Sequence, residues 1–279
     1  MNSASDYDAY RNELGPGVIG YIFTLWMSGL TVGQLTFYLK AFVNDHRCIK
    51  MVVIFVFVLD MFHTWCISAL LWQLVINCRH NTSPQCVILP WEMLTGIFLN
   101  SMISVIVQCF YAYRVWIISD KNWKLTGSVL VIALGQYGIG IATIVTTAQS
   151  RSAAAFFTSP LEVPYAAASV ICDVMISGSF LFYLRPGRAG VKRPSNHMQH
   201  LIVVSLQMGV FTSLVAIVWL LLYCIEGARY WIGFPSVILC KSNVNSMFTV
   251  LNARKSMRNQ LKEHVPVVPT IPMIVVSEP

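Results

Sequence analysis

Seven long hydrophobic runs dominate this 279-residue sequence. Only 11% of the residues are charged, against about 25% in a soluble domain, and nearly all of them lie in the short breaks between the runs. Each run has the roughly 20 residues that a transmembrane helix needs. Because the runs do not alternate and a bilayer admits only helices or closed barrels, the sequence predicts an all-α polytopic membrane protein with seven transmembrane helices. The runs are residues 17–38, 51–76, 91–116, 125–147, 163–183, 201–223 and 231–251.

The basic residues predict how the chain is oriented. Most of the 19 Lys and Arg residues fall in alternate breaks, and such residues concentrate on the cytoplasmic side of a membrane. The N-terminus is therefore expected outside and the C-terminus in the cytoplasm. Three parts follow: an extracellular or lumenal tail (1–14), a seven-helix bundle (15–252) and a basic juxtamembrane segment with a disordered tail (253–279).

Charge and loop length exclude several function classes. The net charge of +7 lies along one membrane face, so the partners it predicts are the lipid bilayer and anionic inner-leaflet lipids, not nucleic acid. The breaks are too short for a soluble catalytic domain, and we expect no enzyme activity, cofactor or metal site. A short amphipathic helix lying on the inner leaflet is predicted after the seventh run. Its candidate headgroup contacts are Arg254, Lys255, Arg258 and Lys262.

The first outer loop carries two covalent candidates. Cys78 and Cys86 flank a short hairpin in an oxidising compartment, so they are candidates for a disulfide. Asn81 between them begins an Asn-Thr-Ser glycosylation pattern.

Three ionisable residues are expected near the bilayer midplane. Asp60, Asp173 and Lys241 each lie about ten residues into their runs. A charge there costs at least about 2.5 kcal/mol, so one lysine among two aspartates predicts a buried ion pair, with the second carboxylate protonated or paired elsewhere. His63 follows Asp60 by one turn on the same helix face and is its expected partner.

These residues define a candidate polar pocket for a ligand or an ion. Asn100 and Asn245 belong to polar stripes at helical spacing, which we expect to turn inward. Two interpretations stay open: a ligand site or proton relay, or a structural ion pair that holds the helices in register. The pocket candidates are Asp60, His63, Asn100, Asp173, Lys241 and Asn245.

Glycine and proline add local expectations. Gly29 and Gly33 form a GxxxG pair, which predicts a close helix contact. Pro16 suits the first turn of a helix. Pro235 predicts a seventh helix that is kinked or begins late.

Several motifs together resemble a known family. They are LDMFHTW (59–65), VQCFYAYRVW (107–116), ALGQYGIGIA (133–142), the stretch around Asp173 that ends in FLFYLR, TSLVAI (212–217) and KSNVNSMFTVLNARKSMR (241–258). The chain resembles an uncharacterised family of fungal, mainly basidiomycete, seven-span membrane proteins, a domain of unknown function. The resemblance implies the fold and topology above and no activity.

Three functions remain compatible with the sequence. The first is a receptor-like or sensory protein with an intramembrane polar pocket, a small-molecule ligand and a cytoplasmic signalling partner. The second is a transporter or proton relay that uses Asp60, His63, Asp173 and Lys241. The third is a non-catalytic membrane scaffold whose buried ion pair is structural. A plasma membrane or an endomembrane fits each of them.

Overall fold

The structure is a computed structural model that describes residues 3–78, 89–152, 154–184, 196–225, 231 and 233–264. All regular structure in these ranges is helical, as the sequence predicts for an all-α protein. The helices are α1 (Ser3–Ala41), α2 (Arg47–Trp72, extended by a π-helical turn Gln73–Asn77), α3 (Trp91–Ile118), α4 (Trp123–Ser150), α5 (Ala154–Thr158), α6 (Glu162–Leu184), α7 (Asn196–Cys224) and α8 (Gly233–His264).

Six of the described helices are long and apolar enough to cross a membrane. Their apolar segments match the first six predicted runs closely, because hydropathy is a local property of the chain. Their length and composition indicate a lipid bilayer environment. The candidate spans are Gly15–Ala41, Arg47–Asn77, Trp91–Ile118, Trp123–Ser150, Glu162–Tyr183 and Ile202–Cys224.

The seventh predicted run forms α8, which is not among these six. Its middle carries Lys241, Asn243 and Asn245, which lower its hydropathy. Every residue from 239 to 248 is nevertheless buried. α8 packs against α1, α2, α3 and α7, so these polar residues meet protein and not lipid.

The long helices form a closed ring of neighbours. Contacts run from α1 to α2, α3, α4, α6, α7 and α8 in turn, and α8 packs back onto α1. Successive helices are antiparallel, so we name the two ends of the bundle by residues: the disulfide end holds Cys78, and the Asp45 end holds the α1–α2 connection. α3 and α8 also meet across the middle, where Val107, Phe180 and Phe248 belong to one buried apolar cluster.

The structure contradicts the predicted helix position of Pro16 and agrees with that of Pro235. The candidate span in α1 begins at Gly15, but the helix itself begins at Ser3, so the first-turn placement of Pro16 is wrong and this proline lies inside the helix. α8 begins at Gly233, which places Pro235 in the first turn. The late start predicted for the seventh helix is confirmed, since a first-turn proline sacrifices no helical hydrogen bond.

The predicted close contact at the GxxxG pair is wrong. Gly29 and Gly33 are exposed, and a Cβ added to either would meet nothing within 4 Å. α1 instead turns a different face to α8, where Asn245 donates to the Met27 carbonyl at 3.2 Å and Gln34 donates to Thr249 at 3.0 Å. These hydrogen bonds satisfy polar groups of α1 and α8 that lipid could not satisfy.

The separate amphipathic helix predicted after the seventh run is also wrong. α8 continues without a break to His264, because the segment after Leu251 holds neither glycine nor proline. Arg254 forms an ion pair with Asp45 at 2.7 Å and lies over the Phe42 ring, and Lys255 lies over Phe37. Two predicted headgroup contacts are thus engaged within the protein. The other two, Arg258 and Lys262, follow on the same helix.

The Asp45–Arg254 pair makes stability depend on pH. Partial burial raises the pKa of Asp45, but hydrogen bonds from Arg254 and Tyr38 outweigh this effect and lower the pKa below its usual 3.8. A depressed folded-state pKa contributes stability above the unfolded pKa, and that stability is lost as pH falls through the folded value. The melting temperature can be measured at a series of pH values from neutral downward. Below pH 3.8, it should decrease more steeply with falling pH in wild type than in Asp45→Asn. Parallel profiles would contradict the assignment.

Candidate functional site

One fully buried ion pair joins α8 to α2. Lys241 Nζ lies 2.6 Å from Asp60 Oδ1, and neither side chain is exposed. The ammonium also donates to the Asp60 carbonyl at 2.9 Å and to Thr64 Oγ1 at 2.6 Å, so all three of its protons have acceptors. At 1.5 Å per residue, Asp60 lies about 20 Å into its helix, near the middle of the bundle. The charge therefore remains in an apolar environment because it is paired and hydrogen-bonded.

The sequence positions these groups through helical spacing. Asp60 and Thr64 are four residues apart, so one face of α2 presents both oxygens to the same ammonium. Thr64 was not among the predicted site residues, although its spacing from Asp60 could have revealed it. Asn245, one turn after Lys241, donates to the Lys241 and Met27 carbonyls. The ion pair and Asn245 together link α1, α2 and α8.

The structure corrects the predicted partner of Asp60. Its carboxylate bonds to Lys241, while His63 forms no hydrogen bond with another described side chain and its buried Nδ1 is unpartnered. An opposite charge on a neighbouring helix prevails over an imidazole one turn away, because only the lysine compensates the buried negative charge. The Thr31 hydroxyl faces Asp60 as well but donates to the Met27 carbonyl.

A cavity of about 130 Å³ opens within the half of the bundle nearer the disulfide end. We call it the disulfide-end cavity, and segments of α2 to α8 line it. Its walls are mostly apolar, with Ile67 and Met93 among them. His63 and Asn100, two of the predicted pocket residues, also line it. Asp60 and Lys241 do not line it, but they lie one turn beyond His63 and Val237 of its wall.

Several polar groups of the disulfide-end cavity lack partners. Buried Asn100 Oδ1, His63 Nδ1, Glu162 Oε2 and Trp219 Nε1 form no hydrogen bond. Unsatisfied buried groups are costly, and their convergence on one cavity is typical of a ligand site. Sequence reasoning missed Glu162 and Trp219 because both lie near the ends of their runs, where polar and aromatic residues usually face the headgroups.

Asp173 lies in a second, smaller cavity of about 10 Å³, which we call the Asp173 cavity. No hydrogen bond or ion pair among the described residues joins it to Asp60 or Lys241. Uncharged polar side chains from α3, α7 and α8 surround it. They are Gln108, Tyr111, Ser205, Thr212, Asn243 and Ser246. The six predicted pocket residues therefore fall into three places, not one.

A larger groove, of about 600 Å³, lies between α2, α3 and α8 towards the Asp45 end. Its lining is almost wholly apolar, and Arg114 and Arg254 are its basic groups. Arg254 is paired with Asp45, and Arg114 donates to Ser205 at 2.8 Å. Such a surface suits acyl chains and offers no convergent chemistry.

The remaining predicted sites lie in the connection between α2 and α3. Cys78 is disulfide-bonded, as the sequence predicts for this residue. Its predicted partner Cys86 and the glycosylation candidate Asn81 lie outside the described residues. In the part of the chain that the structure describes, no group of three or more His, Cys, Asp or Glu side chains could hold a metal ion.

Comparison with known protein families gives a match for one segment of the chain. Residues 169–256 match a family of unknown function (DUF6534). This segment contains Asp173, Lys241 and Asn245, and it spans most of α6, all of α7 and most of α8. No curated protein and no solved structure matches the chain. The match supports an uncharacterised domain of unknown function, as the resemblance predicts.

Proposed function

We propose that this chain is a seven-helix, receptor-like membrane protein that binds a small molecule in the disulfide-end cavity. α8 is the seventh span: it packs against α1, α2, α3 and α7 and is buried from residue 239 to 248, so its low hydropathy reflects contact with protein. The distribution of basic residues favours a cytoplasmic location for the Asp45 end, next to anionic lipids and a signalling partner. The disulfide end then faces outside or a lumen, where oxidised Cys78 is stable.

One observation carries the proposal: buried, unpartnered polar atoms converge on an otherwise apolar cavity. Empty apolar cavities are tolerated in proteins, but orphaned carboxylate and amide oxygens each cost about 1–3 kcal/mol. A ligand that donates hydrogen bonds to Asn100 and Glu162 would recover this energy. Asn100 Oδ1 and Glu162 Oε2 are therefore acceptors without a donor, while the Trp219 Nε1–H is a donor without an acceptor.

The size of the cavity limits the ligand. A cavity of about 150 Å³ holds one benzene molecule, so 130 Å³ accommodates a single ring or a short chain. Glu162 favours a cationic or strongly donating group, and Phe156 and Phe157 provide aromatic walls. The ligand class is thus a small molecule with one apolar ring and an amine or hydroxyl donor.

The neighbouring ion pair supports a receptor-like role. His63 and Val237 of the cavity wall each lie one turn from Asp60 and Lys241, respectively. α8 runs from this point to Arg254 at the Asp45 end without a break. A ligand that displaces His63 would act on α2, and one that displaces Val237 would act on α8. In this proposal each of these helices reaches both faces of the membrane.

The alternatives have less support. A proton relay through Asp60, His63, Asp173 and Lys241 needs a continuous path, whereas Asp173 shares no described hydrogen bond with the other three. A non-catalytic scaffold explains the Lys241–Asp60 pair, but it does not explain the orphaned polar atoms of the cavity.

Thermal unfolding of purified protein tests the proposal. We expect benzylamine to raise the melting temperature of wild type saturably, and benzene to raise it less. Glu162→Gln should weaken benzylamine binding about tenfold or more, since a charge-assisted hydrogen bond contributes about 1.5–3 kcal/mol. Asn100→Leu should fill part of the cavity and abolish binding.

Ser179→Ala is the matched control. It changes a buried hydroxyl of α6 that donates to the Met175 carbonyl and does not line the cavity. Its benzylamine response should equal that of wild type. The proposal fails if benzylamine leaves wild type unchanged, or if Glu162→Gln and Asn100→Leu respond as wild type does.

A further inference from the structure

Two buried carboxylates among the described residues, Glu162 in the disulfide-end cavity and Asp173, have no countercharge, and this inference concerns Asp173. Asp60 pairs with Lys241 and Asp45 pairs with Arg254, and these are the two ion pairs among the described residues. Asp173 belongs to neither, although it is only 9% exposed and its Oδ2 has no hydrogen-bond partner. An isolated carboxylate in an apolar environment requires a proton or a cation to neutralise it.

The Asp173 cavity presents neutral oxygen atoms around that carboxylate. Gln108 uses its amide nitrogen to bond Gln136, which leaves its buried Oε1 unpartnered. Ser177, one turn along α6 from Asp173, also has an unpartnered Oγ. The Thr212 hydroxyl faces the carboxylate while donating to the Gly209 carbonyl. Oxygen atoms of carboxylates, amides and hydroxyls are the ligands that hard cations take.

Gly209 keeps this arrangement open. A Cβ at this position would lie only 2.3 Å from Ser177 Oγ. Any larger residue on α7 would therefore displace the hydroxyl that stands beside the carboxylate. The glycine lets α6 and α7 approach closely while the polar atoms between them remain in place.

We propose that the Asp173 cavity binds one dehydrated monovalent cation of the size of Na⁺. Its volume of about 10 Å³ admits one water-sized particle, which excludes an ion with its hydration shell. One carboxylate balances one positive charge, whereas Ca²⁺ takes six to eight oxygen ligands and would leave an uncompensated charge among apolar helices.

The neighbouring cationic side chains do not replace this ion. Lys241 uses its three N–H groups in hydrogen bonds to Asp60 and Thr64. Arg114 donates to Ser205, which also lines the cavity, but it forms no ion pair with Asp173 among the described residues. The bound cation would join α6 and α7 to α3 and α8, all of which contribute to the cavity. This site is separate from the disulfide-end cavity and does not depend on the function proposed for it.

Two measurements on the purified full chain test the proposal. The first is the melting temperature in NaCl against choline chloride at equal ionic strength, and the second is equilibrium binding of radioactive ²²Na⁺. We expect a saturable rise in melting temperature with Na⁺, and one ²²Na⁺ per chain that unlabelled Na⁺ displaces better than K⁺.

Variants assign the binding to this cavity. Asp173→Asn should abolish ²²Na⁺ binding and the salt-specific shift, while Ser179→Ala on the same helix should retain both. If Asp173→Asn does not fold, Thr212→Val provides the second variant and should weaken ²²Na⁺ binding. Wild type that binds no ²²Na⁺ would overturn the proposal and leave a proton on Asp173. Binding that persists unchanged in a folded Asp173→Asn or Thr212→Val would overturn it as well.

Discussion

Lys241→Met should destabilise the protein by about 3–5 kcal/mol, because it leaves the Asp60 carboxylate buried without its countercharge. The same loss of stability is expected for Asp60→Leu, because it leaves the Lys241 ammonium buried without a countercharge. The double variant Asp60→Leu/Lys241→Met should recover most of the stability, since an apolar pair of similar volume replaces the ion pair. The free energy of unfolding, measured by SDS titration in mixed micelles, gives the coupling between the two sites.

A second double variant distinguishes the partner of the lysine. The sequence allowed either aspartate to neutralise Lys241, whereas the structure pairs it with Asp60. Asp173→Asn should therefore fail to rescue Lys241→Met. Rescue by Asp173→Asn, or a double Asp60/Lys241 variant no more stable than its singles, would contradict the observed pairing.

Gly140→Ala should destabilise the contact between α3 and α4 by about 1–3 kcal/mol. The added Cβ would lie 2.3 Å from Ser101 Oγ, 3.0 Å from Ser101 Cβ and 3.2 Å from Tyr165 Cε2. The hydroxyl could rotate away, but the Cβ of Ser101 and the ring of Tyr165 cannot both retreat without shifting a helix. Thermal unfolding measures the effect, and Ser101→Gly introduced with Gly140→Ala should restore stability.

Gly138→Ala on the same helix is the matched control for this contact. Gly138 is exposed, and a Cβ there would meet nothing within 4 Å. The substitution should be neutral or stabilise the helix by up to about 1 kcal/mol, because alanine loses less backbone entropy than glycine. Equal melting temperatures for Gly138→Ala and Gly140→Ala would show that α3 and α4 do not approach at Gly140.

The fold was largely predictable because hydropathy and helical periodicity depend only on neighbouring residues. The fourth run, predicted at 125–147, corresponds to the helix Trp123–Ser150. The glycine contacts were not predictable in the same way. Gly29 and Gly33 form a GxxxG pair and face outward, whereas Gly140 belongs to no GxxxG pair and meets Ser101. A small residue matters only where another helix lies opposite it, and that depends on the arrangement of the whole bundle.

The sequence by itself determined that the chain is helical and that six of the seven predicted runs are apolar enough for a bilayer, with Asp60 and Asp173 deep within two of these six and Lys241 deep within the seventh run. Only the tertiary structure decided which aspartate meets the lysine, that His63 and Asn100 share a cavity with Glu162, and that Asp173 lies elsewhere among neutral oxygens. Depth along a helix follows from counting residues at 1.5 Å each. Which side chains pair depends on which helices are adjacent and on how each helix is rotated about its axis. Both are properties of packing between segments that are distant in sequence.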